Sequence, residues 1–190
     1  MTSTKHDNSN PAAKIALRNH FLARCPPKKI LECYAGEHRE MYHTCYTGQD
    51  VTALDLKKGE NIKTIDNRQY VRTHADEYDY FDMDAYGSPY ELLVTLFAHR
   101  RSKDPFTVIV TDGTKLLLNY QHASNIVSAT ANLSVGLQVP QLYRFQDELI
   151  WYILRAAATR FGITISDAKI ARGDTGNMKY YGFVAQKIGP

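Results

Sequence analysis

Short apolar runs that end in an acid or a small-residue turn alternate with helical patterns along most of the chain, and few architectures satisfy that alternation. Lys29–Tyr34, within KKILECYAG, reads as a first buried strand, Asp50–Leu56 as a second, Asn61–Ile65 as a third and Tyr78–Met83 as a fourth. Phe106–Thr111 (FTVIVT) is the clearest, since every residue is β-branched or aromatic. Helical patterns fill the intervals. Ala13, Leu17, His20 and Phe21 share a face after Pro11, EHREMYHTCYTG closes at Gly48, and Asn67–Thr73 and Pro89–His99 follow. Only Lys57-Lys58-Gly59-Glu60 stands between the second and third strands, too little for a crossover helix. Beyond the fifth strand, Lys115–Tyr120 starts a helix and Asn125–Val139 has no clear pattern. Gln141–Phe161 is the longest helical pattern and stops at Gly162, and Ile163–Ala171 with Met178–Ile188 close the chain as a hairpin. The expected fold is α/β: a mostly parallel seven-stranded sheet with a C-terminal antiparallel hairpin and helices on both faces.

Composition narrows the partners more than the fold. Lys plus Arg exceeds Asp plus Glu by 23 to 20, a net charge of +3, so any nucleic-acid contact must be local rather than a matter of bulk charge. Cys25, Cys33 and Cys45 are odd in number and lack the paired spacing of a zinc site, and His38, His43 and Cys45 offer no fourth ligand, so neither a disulfide framework nor a metal is expected. Met1–Asn10 reads as a polar lead-in and residues 11–190 as one domain. With no apolar leader or span, a cytoplasmic protein is expected.

In open parallel sheets, ligands bind outside the carboxyl ends of the strands, which directs attention to Tyr34–Gly36, Asp55, Asp66, Asp84 and Asp112. The Ala35-Gly36 turn either lets backbone approach a ligand or is simply the glycine a tight turn needs. Asp55, about 20 residues on, suits both hydroxyls of a ribose or a local turn cap. Asp66-Asn67 can receive an adenine amino group, or Asp66 can cap the next helix as Asp-x-x-Gln. Asp84 opens the run Asp84-Ala85-Tyr86-Gly87-Ser88-Pro89, where an acid can accept a hydrogen bond from a planar amine while the ring stacks on it. The other reading is an ordinary turn with a core tyrosine.

Taken together, these features resemble class I S-adenosylmethionine-dependent methyltransferases. Glu32-Cys33-Tyr34-Ala35-Gly36 resembles the family's first motif in its acidic-x-Phe-Ala-Gly form, and Asp55 resembles its ribose-binding acid. Asp84-Ala85-Tyr86-Gly87-Ser88-Pro89 is similar to the Asp-Pro-Phe-Gly-Ser-Pro motif of tRNA guanine-N2 dimethyltransferases, and Thr111-Asp112-Gly113 matches their fifth-strand end. The resemblance implies an enzyme with a Rossmann-like fold whose cofactor is S-adenosylmethionine. Glu32, Tyr34, Ala35 and Gly36 would hold its methionine part, Asp55 its ribose, and Asp66 and Asn67 its adenine, with Leu56 a further cofactor-binding residue. Asp84 and Tyr86 would act as the catalytic pair on an exocyclic amine of a DNA or RNA base, with Ala85, Gly87, Ser88 and Pro89 shaping the substrate turn.

The sequence departs from that pattern at His38, where a glycine is expected, at Ala85, which replaces a proline, and in lacking a substrate-recognition domain. Specificity would then come from a homodimer or a partner subunit. A small-molecule methyltransferase and a non-catalytic protein of the same fold acting through protein contacts are the alternatives. The basic run His99-Arg100-Arg101-Ser102-Lys103 reads first as a solvated helix end, and second as a phosphate clamp.

Overall fold

The computed structural model describes residues 11–85, 87–114, 142–172 and 178–189. The expected lead-in at Met1–Asn10, Tyr86, the helix at Lys115–Tyr120 and the unpatterned Asn125–Val139 stretch lie outside them.

Helix α1 spans Pro11–Arg24, with proline at its first position, where a missing N–H costs nothing. Strands β1 (Ile30–Cys33), β2 (Val51–Asp55), β3 (Ile62–Thr64), β4 (Tyr80–Asp84) and β5 (Phe106–Asp112) follow, with α2 (Asn67–His74) and α3 (Tyr90–His99) between the later ones. Helix α4 (Gln146–Arg160) then leads into β6 (Ile163–Arg172) and β7 (Lys179–Lys187). The sheet order is β3-β2-β1-β4-β5-β7-β6. The first five strands pair in parallel, and β7 runs antiparallel between β5 and β6. The expected fold is therefore observed, with the hairpin's second strand inside the sheet and its first at the edge.

Two details differ from expectation, each for a local reason, while the helix-free β2–β3 link is as expected. The EHREMYHTCYTG segment forms a five-residue π-helical turn, Tyr42–Tyr46, instead of an ordinary helix, and this wider turn carries Tyr46 into full burial. The pattern at Gln141–Phe161 becomes α-helical only at Gln146, after a 3-10 turn at Leu142–Phe145. The β2–β3 link does without a helix because β3 pairs only with the end of β2, Ala53 opposite Ile62 and Asp55 opposite Thr64. The chain thus steps back just two residues, a displacement of roughly 7 Å at a strand rise of about 3.3 Å per residue.

Strand alternation then sorts the side chains. Leu31, Cys33, Phe81, Met83, Val108 and Val110 pack toward α3 and α4, meeting Leu93, Leu96, Phe97, Ile150 and Leu154. Ile30, Tyr80, Ile109 and Tyr180 face the other way, onto Leu17 and Phe21 of α1. Phe21 reaches the sheet at Gly182, where a Cβ would lie 2.5 Å from the Phe21 ring and 2.7 Å from Ile109. Only glycine leaves that seat open. On the α1 face, however, the apolar series is interrupted by Glu32, Asp82 and Asp84.

Candidate functional site

The turn after β1 requires left-handed backbone at Tyr34 (φ 60°) and at Gly36 (φ 69°), and glycine is the residue that adopts it without strain. Nothing lies within 4 Å of where a Gly36 side chain would start, so the turn opens onto free space. Asp55 holds it there. One carboxylate oxygen accepts the Gly36 N–H at 3.0 Å and the other accepts the Lys57 N–H at 2.9 Å, while the Asp55 carbonyl accepts from Ile65 at 3.0 Å. Asp55 is thus the turn cap of the second sequence reading, and it also fixes the glycine beside it. The next side chain, Leu56, is 70% exposed, an apolar surface at the strand end. Tyr34 and Ala35 are half-buried alongside. His38 is exposed, so its side chain does not fill the core under the turn.

Glu32 lies below this turn, buried, and in register with Asp82 on the neighbouring strand. Arg39 binds one Glu32 oxygen through two nitrogens at 3.1 and 3.2 Å while its guanidinium covers the Tyr42 ring at 4.0 Å. The other Glu32 oxygen, Oε1, is buried without a partner. Burial, with the Asp82 charge beside it, outweighs the pull of Arg39 and pushes the Glu32 carboxyl up to about 7. A carboxyl raised in the folded state is bound to more protons there than in the unfolded chain, where it titrates near 4.5. Stability should therefore fall as pH rises from about 4.5 through about 7, by at most about 3 kcal/mol, and then level off. Urea unfolding at pH 5 and pH 8 should show that decline in the wild type and not in Glu32→Gln; equal declines in both would assign it elsewhere.

At the end of β3, Asp66 is the helix cap that its Asp-x-x-Gln spacing allowed. It accepts from the Arg68 N–H at 2.8 Å and the Gln69 N–H at 3.3 Å. The Arg68 side chain also binds Asp66, which holds its carboxyl below the ordinary range, and reaches Glu91 at 2.7 Å. Next to it, Asn67 is buried with its Oδ1 unpartnered.

Asp84 ends β4 and meets two cations from α1. Lys14 Nζ is 2.9 Å from each carboxylate oxygen, and Arg18 lies 3.8 Å away. Burial alone would raise the Asp84 carboxyl, but Arg18 and Lys14 together hold it below its ordinary value. Arg18 is fully committed one residue pair deeper, donating two bonds of 2.7 Å to Asp82, which also accepts 2.7 Å from the Tyr46 hydroxyl. Neither Lys14, Arg18, Arg39 nor Tyr46 was singled out from the sequence. The available signal was two acids at alternate positions of the buried strand YFDMD, which require cations, and Lys14 and Arg18 spaced i, i+4 beside Leu17 and Phe21.

The turn after Asp84 is anchored from the fifth strand. Ala85 is buried, and the Gly87 carbonyl accepts the Gly113 N–H at 3.1 Å. Pro89 precedes the first turn of α3, whose Tyr90 donates its hydroxyl to the buried Asp112. Asp112 also accepts from the Thr114 N–H at 2.8 Å, and burial pushes its carboxyl up. Ser88 Oγ is buried with no partner. The structure thus collects Glu32, Gly36, Asp55, Asn67, Asp84 and Ser88 at the carboxyl ends of neighbouring strands, as the topology requires.

No family model matches the chain, and no curated protein matches it. Solved structures do. Trm1 from Pyrococcus horikoshii, in complex with S-adenosyl-L-methionine, is similar at TM-score 0.63 and 17% identity over 94% of this chain. The chain spans 56% of that protein. Burkholderia thailandensis 1,6-didemethyltoxoflavin-N1-methyltransferase, with bound 1,6-didemethyltoxoflavin and S-adenosylhomocysteine, is similar at TM-score 0.53 and 16% identity, covering 94% of this chain and 79% of that one. The plantazolicin methyltransferase BpumL, in complex with SAH, gives 0.52 and 14%, with coverage of 93% and 82%. The helix-covered sheet of five parallel strands and a terminal antiparallel pair, shared with these three enzymes at low identity, is the Rossmann-like methyltransferase fold.

Proposed function

We propose that the chain is an S-adenosylmethionine-dependent N-methyltransferase acting on an exocyclic amine of a nucleic-acid base. The observation that carries this reading is the open glycine turn after β1, beside the exposed Leu56 and buried polar atoms at the same sheet edge. Buried polar groups normally find partners, yet among the described residues Glu32 Oε1, Asn67 Oδ1 and Ser88 Oγ have none, as is also true of the Gln146 amide on α4. Each of the first three belongs to one of the segments that the family resemblance assigns to methionine, adenine and acceptor. These residues fit the cofactor. Glu32 and the Gly36 turn would hold its methionine end, Asp55 its ribose, and Leu56 with Asn67 its adenine.

When bound, the sulfonium supplies an activated methyl group, so the protein's contribution is proximity and alignment. Asp84, kept ionised by Lys14 and Arg18, accepts a hydrogen bond from the acceptor's N–H and turns the nitrogen lone pair toward the methyl. The Gly87–Pro89 segment, tied to Gly113, keeps that geometry. A base inside a duplex would have to be unpaired or flipped to enter. Nucleic acid is favoured as acceptor by the resemblance of the Asp84–Pro89 run, and the Trm1 likeness covers only part of that protein.

Calorimetric titration with S-adenosylmethionine and S-adenosylhomocysteine tests the cofactor directly. Micromolar binding is expected, on the order of −8 kcal/mol, weakened at least about tenfold in Asp55→Ala. Absence of heat at millimolar ligand would overturn the proposal. Methyl uptake by a small heteroaromatic amine, with none by DNA or RNA, would keep the reaction and replace the acceptor.

A further inference from the structure

Helices α2 and α3 pack side by side, and the groove between them changes character along its length. At its upper end, Arg68 is neutralised by Asp66 and Glu91. One turn further along α2, Arg72 makes no ion pair among the described residues. Together with Thr73, Asp76, His99 and Arg101 it lines a notch of about 260 Å³ at the lower ends of the two helices. The lining also holds one carboxylate, Asp76, with one of its oxygens engaged. Its Oδ1 accepts the Arg101 and Ser102 N–H groups at 2.8 Å each and lies 3.8 Å from Arg100.

The basic run His99–Lys103 therefore divides in two. Arg100 is the structural member: it is 2% exposed and donates to the carbonyls of Ala75 at 2.6 Å and Tyr78 at 2.7 Å. His99 is bonded to Thr95 O through Nδ1 at 2.9 Å. The carbonyls of Val71, Thr95 and Leu96 are served by backbone N–H groups and by His99, and no hydrogen bond among the described residues ties the guanidinium groups of Arg72 and Arg101 to a helix end. Among the described residues neither has a hydrogen-bond or ion-pair partner, and both are exposed. Two unpaired guanidinium groups against one carboxylate leave this concave space with an excess of positive charge, in a chain whose net charge is only +3.

We propose that the notch between the ends of α2 and α3, flanked by Arg72 and Arg101, binds a backbone phosphate of a polynucleotide whose target base reaches the Asp84 turn. This rests on the nucleic-acid reading above and gives it a footprint. Helix α3 runs from the acceptor turn to the notch over 10 residues, about 15 Å, which equals four or five base-pair rises at 3.4 Å. A single nucleotide cannot occupy both places, and an oligonucleotide can.

Fluorescence anisotropy with 5′-labelled 12-nucleotide RNA and DNA strands between 50 and 200 mM salt tests this, with methyl uptake measured on the same strands. Arg72→Gln/Arg101→Gln is expected to weaken binding about tenfold at the lower salt and to reduce the salt slope by about 0.7, the share of one neutralised phosphate on a single strand. Arg155→Gln, on α4, should do neither. Wild-type affinity and slope in the double variant would overturn the proposal, as would wild-type binding that millimolar inorganic phosphate abolishes, which would make the notch a free-phosphate site. Strands that bind through the two arginines without being methylated would instead sink the acceptor assignment and leave the notch standing.

Discussion

Replacing Arg18 by methionine is expected to lower the unfolding free energy by about 3–5 kcal/mol, a large share of the roughly 5–15 kcal/mol that holds a folded domain together. The side chains of Arg18 and Asp82 are 0% and 1% exposed. Without the guanidinium, the Asp82 carboxylate keeps only the Tyr46 hydroxyl and faces Glu32 across the strand pair. The cost is that of an uncompensated buried charge and is not the net worth of the ion pair. Removing the whole network should prove far milder. Arg18→Met with Asp82→Leu and Tyr46→Phe leaves no unpaired charge at these three positions beside Ile30 and Phe21, and should recover most of the loss. Urea unfolding with matched slopes measures both. A loss below about 1 kcal/mol in the single variant would mean that water or a shift of α1 reaches Asp82 and that the network is not sealed.

Asp84→Ala should cut methyl transfer by at least about 100-fold while changing cofactor affinity less than threefold, a pattern of lost transition-state interaction rather than lost binding. The separation follows from position, since Asp84 ends β4 while the proposed cofactor residues lie on β1, β2 and the β3 end. Folding should be spared, because Arg18 keeps Asp82 and Lys14, at 14% side-chain exposure, can turn to solvent. The depressed Asp84 carboxyl adds a second signature. Its stabilising charge is present above the unfolded pKa and is lost only as pH falls through the lower folded value, so the rate should show no limb from Asp84 between pH 5 and 8. Asp84→Asn, which retains an acceptor oxygen, should keep part of the activity. Loss of cofactor binding in Asp84→Ala would show that the residue shapes the cofactor site instead.

The parts of this molecule that were legible in the sequence are those governed by one-dimensional patterns. FTVIVT could only be a buried central strand, and the acids at positions 55, 66, 84 and 112 fell at strand ends because apolar runs stop there. What a strand-end acid binds was not legible, since partner choice is set by tertiary approach. Asp66 turned out to be held by Arg68 two residues away, a local outcome its spacing had allowed. Asp84 is held by Lys14, 70 residues distant, a pairing created only when α1 folds back over β4. The π-helical turn at Tyr42–Tyr46 was likewise hidden, because Tyr46 is drawn inward by Asp82 rather than by any periodicity of its own segment.

The sheet order also carries a consequence for how the molecule is made. Strand β7 lies between β5 and β6, pairing with β5 over seven residues from Phe106 opposite Ala185 to Asp112 opposite Lys179. Until Lys187 is synthesised, the fully buried β5 is a bare edge rich in valine and isoleucine. A ribosome adding 5–20 residues per second takes roughly 4–15 s to travel from Asp112 to Lys187. Throughout that interval the nascent chain presents an unpaired apolar edge, the kind of surface that pairs with other chains until β7 covers it.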